Sequence, residues 1–294
     1  MATFIENNSG SNTGWLYYKK YYDGSVVTKQ AMQGVNNSIC NTPLLDIPSA
    51  ISNSKVLHFT TTYPGMVMGT GYTHEQKKGT SEELSKEAFK IGFFFDYTSG
   101  MPIIPGSSVK GLLRSAFPQR VVVPKKVPAN QLEKENWIKE LLEKMCGITG
   151  EVDIDELERD IFDGARKKTD QKNPGQIIIK PVPVYECDIF FDAVPLEITA
   201  NNIGITKRLL GSDYITPHKN KDRDHPELDP FSNPNPLKFL KIMPNVIIEF
   251  RFKLEGSLVI PALDADKKRS LFQEIIKTLG IGAKTNVGYG QFEP

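Results

Sequence analysis

The clearest alternation of hydrophobic and polar positions lies near the end of the sequence. The segment NVIIEFRFKL alternates apolar Ile248, Phe250 and Phe252 with charged residues, which is the period-two pattern of a strand with one buried face. A helical pattern then runs from Asp264, a side chain that can cap a helix, to Gly280, a residue type that often ends one. The pattern predicts a strand, a helix and, in VGYGQF, a short final strand.

An earlier part of the chain predicts a second strand-helix unit. Residues 55–68 and 90–96 are rich in β-branched and aromatic residues, which favour strands. The segment SSVKGLLRSAF that follows has apolar residues at helical spacing, with Ser107 or Ser108 as its cap.

Two cations of this helix are expected to lie together. Lys110 and Arg114 are four residues apart, so they share one helix face, opposite the apolar one. The spacing predicts a basic ridge.

The remaining segments define the expected organisation. Residues 1–54 are rich in asparagine and proline and predict an irregular N-terminal segment, whereas residues 125–170 carry two helical patterns. Residues 211–238 are rich in proline, aspartate and asparagine and predict a long ordered loop. We therefore expect one domain over residues 1–294, an α+β fold with a ferredoxin-like (RRM-like) sheet, a helical insertion and long loops.

The predicted loop also holds apolar side chains with two possible uses. They can dock a neighbouring protein or pack inside this chain, and the sequence leaves both alternatives open. They are Phe231, Leu237, Phe239 and Leu240.

Composition narrows the function classes. With 294 residues and 39% hydrophobic content the chain can bury a sizeable core. The first residues have no basic segment followed by an apolar run, and about 18 consecutive apolar residues occur nowhere, so we expect a cytoplasmic protein without membrane contact. Cys40, Cys146 and Cys187 form no CxxC pair and are expected to be reduced thiols. The net charge of +1 means that any nucleic-acid contact must be local.

The glycine-rich segment from Gly280 to Gly290 invites comparison with a nucleotide-binding loop. A Walker A loop follows a strand and has glycine before its lysine, whereas here a helix comes first and Ala283 precedes Lys284. Nucleotide hydrolysis is therefore not expected. The glycines and Lys284 can meet RNA phosphates through backbone N–H groups and charge, or the segment can be a turn that packs the last strand.

Two motifs carry a family resemblance. GIGAKTNVGYGQF resembles the glycine-rich loop of RAMP proteins, and GMPIIPGSSVKGLLRSAF resembles the PIIPGSSLKGxLR signature of RAMP subunits in type III CRISPR effectors. The order VMGTGYTHE, PIIPGSSVKGLLR, FFDAVP, LGSDYITPH and NPLKFLKI is similar to the sixth subunit of the type III-B Cmr complex. The resemblance covers roughly residues 58–294.

The resemblance implies a non-catalytic RNA-binding subunit of an antiviral ribonucleoprotein. Such a subunit caps a protein filament near the 3′ part of the guide RNA and helps to hold guide and target RNA. Its implied protein partners are the backbone RAMP subunit, the small subunit and a neighbouring terminal RAMP subunit. It carries over no catalytic residue, metal or cofactor. The residues implied to contact RNA are Ser107, Ser108, Lys110, Arg114, Gly282, Lys284, Asn286 and Gly288.

Other functions stay open at this point. A RAMP endoribonuclease needs an acid and a base at the scissile phosphate, and His218 beside Tyr214 and Lys219 is the best such set. Asp213 and Asp222 to Asp224 offer carboxylates without ordered metal-ligand spacing. A different type III RAMP subunit, or a filament subunit without RNA contact, are the further alternatives. We expect no catalytic activity.

Overall fold

The computed structural model shows a mixed fold of helices and antiparallel sheets. It describes residues 12–22, 26–46, 51–71, 73, 82–119, 129–169, 177–204, 206–216 and 236–293. In these ranges the helices are α1 Thr13–Tyr18, α2 Lys29–Cys40, α3 Glu82–Glu87, α4 Gly106–Ser115, α5 Ala129–Cys146, α6 Ile154–Asp163 and α7 Ala265–Leu279. The strands are β1 Lys55–Thr61, β2 Ala165–Thr169, β3 Ile177–Pro181, β4 Ile189–Phe190, β5 Val194–Ile198, β6 Leu210–Ile215, β7 Leu237–Ile242, β8 Val246–Lys253 and β9 Phe292–Glu293.

The main sheet has β1 and β8 at its centre. They pair antiparallel, from Lys55 opposite Phe252 to Thr60 opposite Ile247. β9 pairs with the free side of β1, and β4 and β5 both pair with the far side of β8. Because β8 and β9 are each antiparallel to β1, they run parallel to each other and α7 connects them. The predicted strand and helix are confirmed, whereas the final strand predicted over VGYGQF is reduced to Phe292 of that segment, because β9 covers only Phe292–Glu293.

The core forms where α7 covers this sheet. Phe250 and Phe252 of β8 are fully buried, and Phe272 of α7 packs on Phe252 with ring centroids 5.6 Å apart. The Asp264 side chain accepts a hydrogen bond from the Lys267 N–H, as the predicted cap requires. The alternation in β8 and the helical period of α7 place their apolar sides against each other.

The other face of β1 and β8 is polar. The Glu249 carboxylate accepts from His58 Nε2 at 3.0 Å and from Arg251 Nη2 at 2.5 Å. Arg251 Nη1 also donates to Ser54 Oγ at 2.8 Å. Burial alone would raise the pKa of the Glu249 carboxyl, but the His58 and Arg251 contacts hold it below its ordinary value. The charged side of the strand pattern thus forms an internally paired network.

Two helices occupy the segment predicted as a helical insertion. α5 ends before Gly147, which adopts a φ of +64°, in agreement with the predicted C-cap. α6 ends at Gly164 with a φ of +55°, and the chain continues as β2, paired with β3. The helical pattern therefore covers less of this segment than predicted, because the left-handed glycine stops the helix.

The prediction of an irregular segment at 1–54 is wrong for the described part, which holds α1 and α2. The Asn12 side chain caps α1 by accepting from Trp15 N, and Thr28 caps α2 by accepting from Ala31 N. Tyr17 and Met32 are fully buried. Burial of these side chains against the rest of the chain stabilises helices that show no long period in the sequence.

The predicted long loop at 211–238 is also wrong at both ends, because β6 and β7 form an antiparallel pair there. Phe239 and Leu240 are fully buried, so they pack inside this chain, whereas Phe231 lies outside the described residues. Neither strand has a period-two apolar pattern, so the sequence gives no strand signal among the prolines and polar residues of this segment.

The predicted strand at 90–96 is reduced to isolated contacts. Phe95 forms a single bridge with Pro102, and the Gly92 carbonyl accepts from Gly69 N at 3.1 Å. Among the described residues, no helix combines the length and the apolar character needed to cross a bilayer.

Candidate nucleic-acid interface

The two glycine-containing motifs meet at one groove of about 350 Å³. Three chain segments line it, namely 66–70, α4 with the residue Ile104 before it, and the loop after α7. The lining residues are Met66, Met68, Gly69, Thr70, Ile104, Ser108, Leu112, Leu279, Gly280, Ile281, Gly282, Ala283 and Thr285. The groove therefore has an apolar floor with glycine backbone and hydroxyl groups around it.

Glycine is required where the loop approaches segment 66–70. Ala283 N donates to the Val67 carbonyl at 2.8 Å, which draws the two backbones together. Gly282 has a φ of +100°, and a Cβ there would lie 2.2 Å from the Val67 oxygen. Gly69 faces the same contact, since its Cβ would lie 2.5 Å from Ala283 Cβ. The result is exposed backbone at Gly69 and Gly282 beside the groove.

Lys284 stands between the lining residues Ala283 and Thr285, at the rim of the groove. It is a non-glycine residue in the left-handed region, with a φ of 64°. This conformation lets its carbonyl accept from Val287 N at 3.1 Å and Tyr289 N at 3.3 Å. The side chain is exposed, and within the described ranges no carboxylate pairs with its ammonium group.

The second half of the loop faces a different neighbour. Asn286 is exposed, and Gly288 has a φ of +95° with the Pro64 ring close to its α-carbon. Neither residue lines the groove. They belong instead to the surface formed with the turn that follows β1.

The predicted contact residues of α4 divide between two faces. Ser108 and Leu112 line the groove, while Lys110 lies about 200° around the helix from Ser108. Ser107 is exposed and also lies away from the groove lining. Lys110 and Arg114 share a face, as predicted, but that face turns toward β4 and α6.

The predicted basic ridge is largely neutralised within the chain. The Arg114 guanidinium lies 2.5 Å from Glu158 and 3.0 Å from Asp163, measured from Nε and Nη1. Lys110 Nζ lies 5.9 Å from the centroid of the Phe190 ring, a cation-π contact. The cations of α4 thus hold this helix against its neighbours.

The cap predicted for α4 is wrong. Pro105 occupies the N-cap position without a side-chain hydrogen bond, and the Gly106 N–H donates to Asp192 Oδ1 at 2.7 Å. Ile104 and Ala193 exchange two backbone hydrogen bonds of 2.9 Å. The FFDAVP segment therefore supplies the group that completes the start of α4, a long-range contact that the local sequence does not reveal.

A partly buried polar cluster connects the glycine-rich loop to β6 and β7. The Asp213 carboxylate accepts from Lys241 Nζ at 2.6 Å and from the Tyr289 hydroxyl at 2.9 Å. Burial alone would raise the pKa of Asp213, but these hydrogen bonds and the Tyr214 N–H hold it below its ordinary value. Burial and the Asp213 carboxylate raise the pKa of the Tyr289 phenol. Tyr289 therefore stays protonated and fixes the loop to the smaller sheet.

The candidate acid-base groups are only partly described. Tyr214 is half exposed with Lys238 Nζ 5.5 Å from its ring centroid, and His58 is bonded to Glu249. His74, His218 and His225 lie outside the described residues, as do Lys219 and Asp222 to Asp224. Within the described ranges, no three His, Cys, Asp or Glu side chains are grouped to hold a metal ion.

Sequence reasoning did not include Gly69 and Thr70 among the site residues. The signal was present in the segment VMGTGYTHE, since closely spaced glycines before a polar residue often mark close backbone approach. Their place beside Gly282 depends on the Val67 and Ala283 pairing, which joins residues more than 200 positions apart.

The family model of the RAMP superfamily matches residues 58–293. No curated protein matches the chain.

Two solved structures are similar. One is a chain of the type III-B Cmr-beta complex bound to cognate target RNA, with 23% identity, a TM-score of 0.43, and coverage of 82% of this chain and 58% of that chain. The other is Cmr6 from Pyrococcus furiosus, with 24% identity, a TM-score of 0.38, and coverage of 81% and 97%. Because the family model covers most of the sequence, the chain belongs to the RAMP superfamily.

Proposed function

We propose that this chain is a non-catalytic RNA-binding subunit of a type III-B CRISPR ribonucleoprotein. In this role it caps the protein filament near the 3′ part of the guide RNA and helps to hold guide and target RNA for antiviral defence. The observation that carries the proposal is the groove between α4 and the glycine-rich loop, with Lys284 at its rim. Family membership and the order of the motifs support the choice of system.

The groove suits a sugar-phosphate backbone. The exposed residues Gly69 and Gly282 have no side chain, so a phosphate can approach the main chain closely there, and Lys284 supplies one positive charge. Thr70, Ser108 and Thr285 provide hydroxyl groups that can donate or accept hydrogen bonds. Contacts of this kind read the backbone and not the base sequence, so binding should be nearly independent of sequence.

The sheet topology supports a ferredoxin-like fold for this subunit. The order β9, β1, β8, then β4 and β5, places the first and penultimate main-sheet strands at the centre. α4 follows β1, and α7 connects β8 to β9. This order is consistent with a split β-α-β sheet, extended by the smaller sheets and by α5 and α6.

Local chemistry supports a binding role over a catalytic one. A general base needs an available lone pair and a pKa close to the working pH. The Asp213 carboxylate is already bound by Lys241 and Tyr289, which hold its pKa low, and His58 is bonded to Glu249 on the main sheet. We propose that the neighbouring subunits are the backbone RAMP subunit, the small subunit and another terminal RAMP subunit.

The test compares two lysines of equal charge. Lys284→Ala removes the exposed cation at the rim of the groove, whereas Lys144→Ala removes an exposed cation that pairs with Glu140 on α5. Binding of a fluorescein-labelled single-stranded RNA is measured over a salt series. Lys284→Ala should weaken binding and reduce the slope of log K against log salt by about 0.7, while Lys144→Ala should change neither. Identical affinities and slopes for the two variants would contradict the proposal.

A further inference from the structure

Tyr63 is the most exposed large apolar or aromatic side chain among the described residues. Its exposed fraction is 86%. It lies on the turn that follows β1, immediately before Pro64. Burial of this ring contributes little to folding, because nearly all of its surface stays in water.

The turn that carries Tyr63 is fastened to the glycine-rich loop. The backbone N–H and the hydroxyl of Thr62 both donate to the Gln291 carbonyl at 3.1 Å. Gly290 N donates to the Gly65 carbonyl at 2.9 Å, and Pro64 lies against Gly288. Tyr63 therefore stands on the same rigid surface as the exposed residues of that loop.

Two other surface tyrosines already use their rings within the chain. Tyr97 stacks on Tyr18 with centroids 5.2 Å apart and planes at 16°, and the ring of Tyr214 lies below the Lys238 ammonium. Within the described ranges no ring or cation contacts Tyr63, although its phenol interacts electrostatically with that of Tyr289. Both faces of the ring are thus available to a flat ligand.

The surroundings favour a nucleotide as that ligand. The adjacent loop presents Lys284 and Asn286, a cation and an amide, on exposed backbone with two left-handed residues. An exposed aromatic ring on the same surface as a cation and an amide is a combination that holds single-stranded nucleic acid, by stacking on the base and neutralising the phosphate.

We propose that Tyr63 is a stacking platform for an unpaired RNA base whose backbone is held by the glycine-rich loop. The inference rests on the proposed function and names a base-contacting residue for it. Stacking tolerates every base, because each base has a π face, so it adds affinity without sequence preference.

The experiment uses the full chain and a single-stranded RNA of about 12 nucleotides, within the range of known site sizes. The RNA is rich in uridine and carries one 2-aminopurine, whose fluorescence is quenched by stacking. A series of such RNAs places the 2-aminopurine at successive positions, and the wild-type chain should quench its fluorescence at one or more of them. Tyr63→Ala should abolish that quenching and weaken binding on the order of tenfold, with an unchanged melting temperature.

Two further variants define the chemistry. Tyr63→Phe keeps the ring and should retain both quenching and affinity. Tyr185→Ala removes a tyrosine of similar exposure, 71%, whose carbonyl accepts from Lys253 at the opposite end of β8, about 23 Å away by strand rise. This control should bind like the wild type.

The outcomes separate this inference from the proposed function. Absence of RNA binding by the wild-type chain would overturn both. Binding that needs Lys284 but is unchanged in Tyr63→Ala would overturn only the stacking platform. A Tyr63→Phe variant as weak as Tyr63→Ala would assign the effect to the hydroxyl and would likewise overturn stacking, as would an equal loss in Tyr185→Ala.

Discussion

The α4 motif and the glycine-rich loop border the same groove, yet their polar groups are used differently. On α4, Arg114 is bound to Glu158 and Asp163, and Lys110 lies over Phe190. On the loop, Lys284 is exposed and no carboxylate of the described ranges pairs with it. The α4 motif uses its cations for contacts within the chain, and the glycine-rich loop presents its cation to solvent.

The glycines of the loop and of α4 also have different roles. Gly282 has a φ of +100° and no room for a Cβ, because it lies against the Val67 carbonyl. Gly111 is inside α4, and nothing lies within 4 Å of the Cβ that it lacks. Close backbone approach therefore shapes the loop, whereas the helix keeps its shape through side-chain contacts. Resemblance to a family motif alone does not distinguish these two roles.

The largest expected effect comes from adding one methyl group to the loop. Gly282→Ala should lower the free energy of unfolding by about 3 kcal/mol, since the left-handed backbone is unfavourable for alanine and the Cβ meets the Val67 oxygen. Urea denaturation measures the change. The matched variant Gly111→Ala should raise stability by about 0.8 kcal/mol, because alanine favours a helix interior over glycine. If both variants shift the free energy of unfolding in the same direction, the glycines of the two motifs do not have different roles.

A smaller loss is expected from Arg114→Ala. The Glu158 side chain is only 4% exposed, so removing the guanidinium beside it should cost about 2 kcal/mol of unfolding free energy. Lys110→Ala, one turn earlier on the same face, removes a cation-π contact and should cost about 0.5 kcal/mol. Chemical denaturation of both variants is the measurement. If both variants lose little unfolding free energy and both bind RNA more weakly, Arg114 contacts RNA, as the sequence predicts, and does not mainly stabilise α4.

The smallest expected effect concerns pH. The pKa of Asp213 is lowered in the folded chain, so its carboxylate stabilises the fold at pH values above the ordinary pKa of an aspartate. This stabilisation is lost as the pH falls below about 4 and through the folded pKa. Asp213→Asn should cost roughly 1 kcal/mol or less at neutral pH and should flatten the loss of stability below pH 4. Melting temperatures between pH 7 and pH 3 test this. Gly111→Ala changes no titratable group and should leave the acid limb unchanged, and a parallel change in both variants would contradict a specific role for Asp213.

Much of the last part of the fold was predictable because its signals are local. The alternation in β8, the Asp264 cap and the stop at Gly280 each depend on neighbours within a few residues. The helices α5 and α6 were predicted for the same reason. By contrast, α1, β6 and β7 have six residues each, which is too short for a clear period, and burial of residues such as Tyr17 and Phe239 stabilises them.

The candidate site was predictable in its residue types and less so in its arrangement. Ser108, Gly282 and Lys284 meet at the groove or its rim, while Arg114 turns away from it. Tyr63 had no distinguishing pattern, because an exposed tyrosine in a turn looks the same in sequence whether or not a binding loop lies beside it. The hydrogen bonds from Thr62 to Gln291 and from Gly290 to Gly65 bring that loop to it.

By itself, the sequence determined the period of the long elements, the positions that need glycine and the motifs of the RAMP superfamily, since these are properties of adjacent residues. The tertiary structure decided which cations are neutralised and which remain exposed. Lys238 and Glu87 are 151 positions apart and still form a buried ion pair of 2.7 Å. Charge pairing of this kind depends on three-dimensional distance and on burial, which strengthens attraction at short range, and neither quantity is written in local sequence.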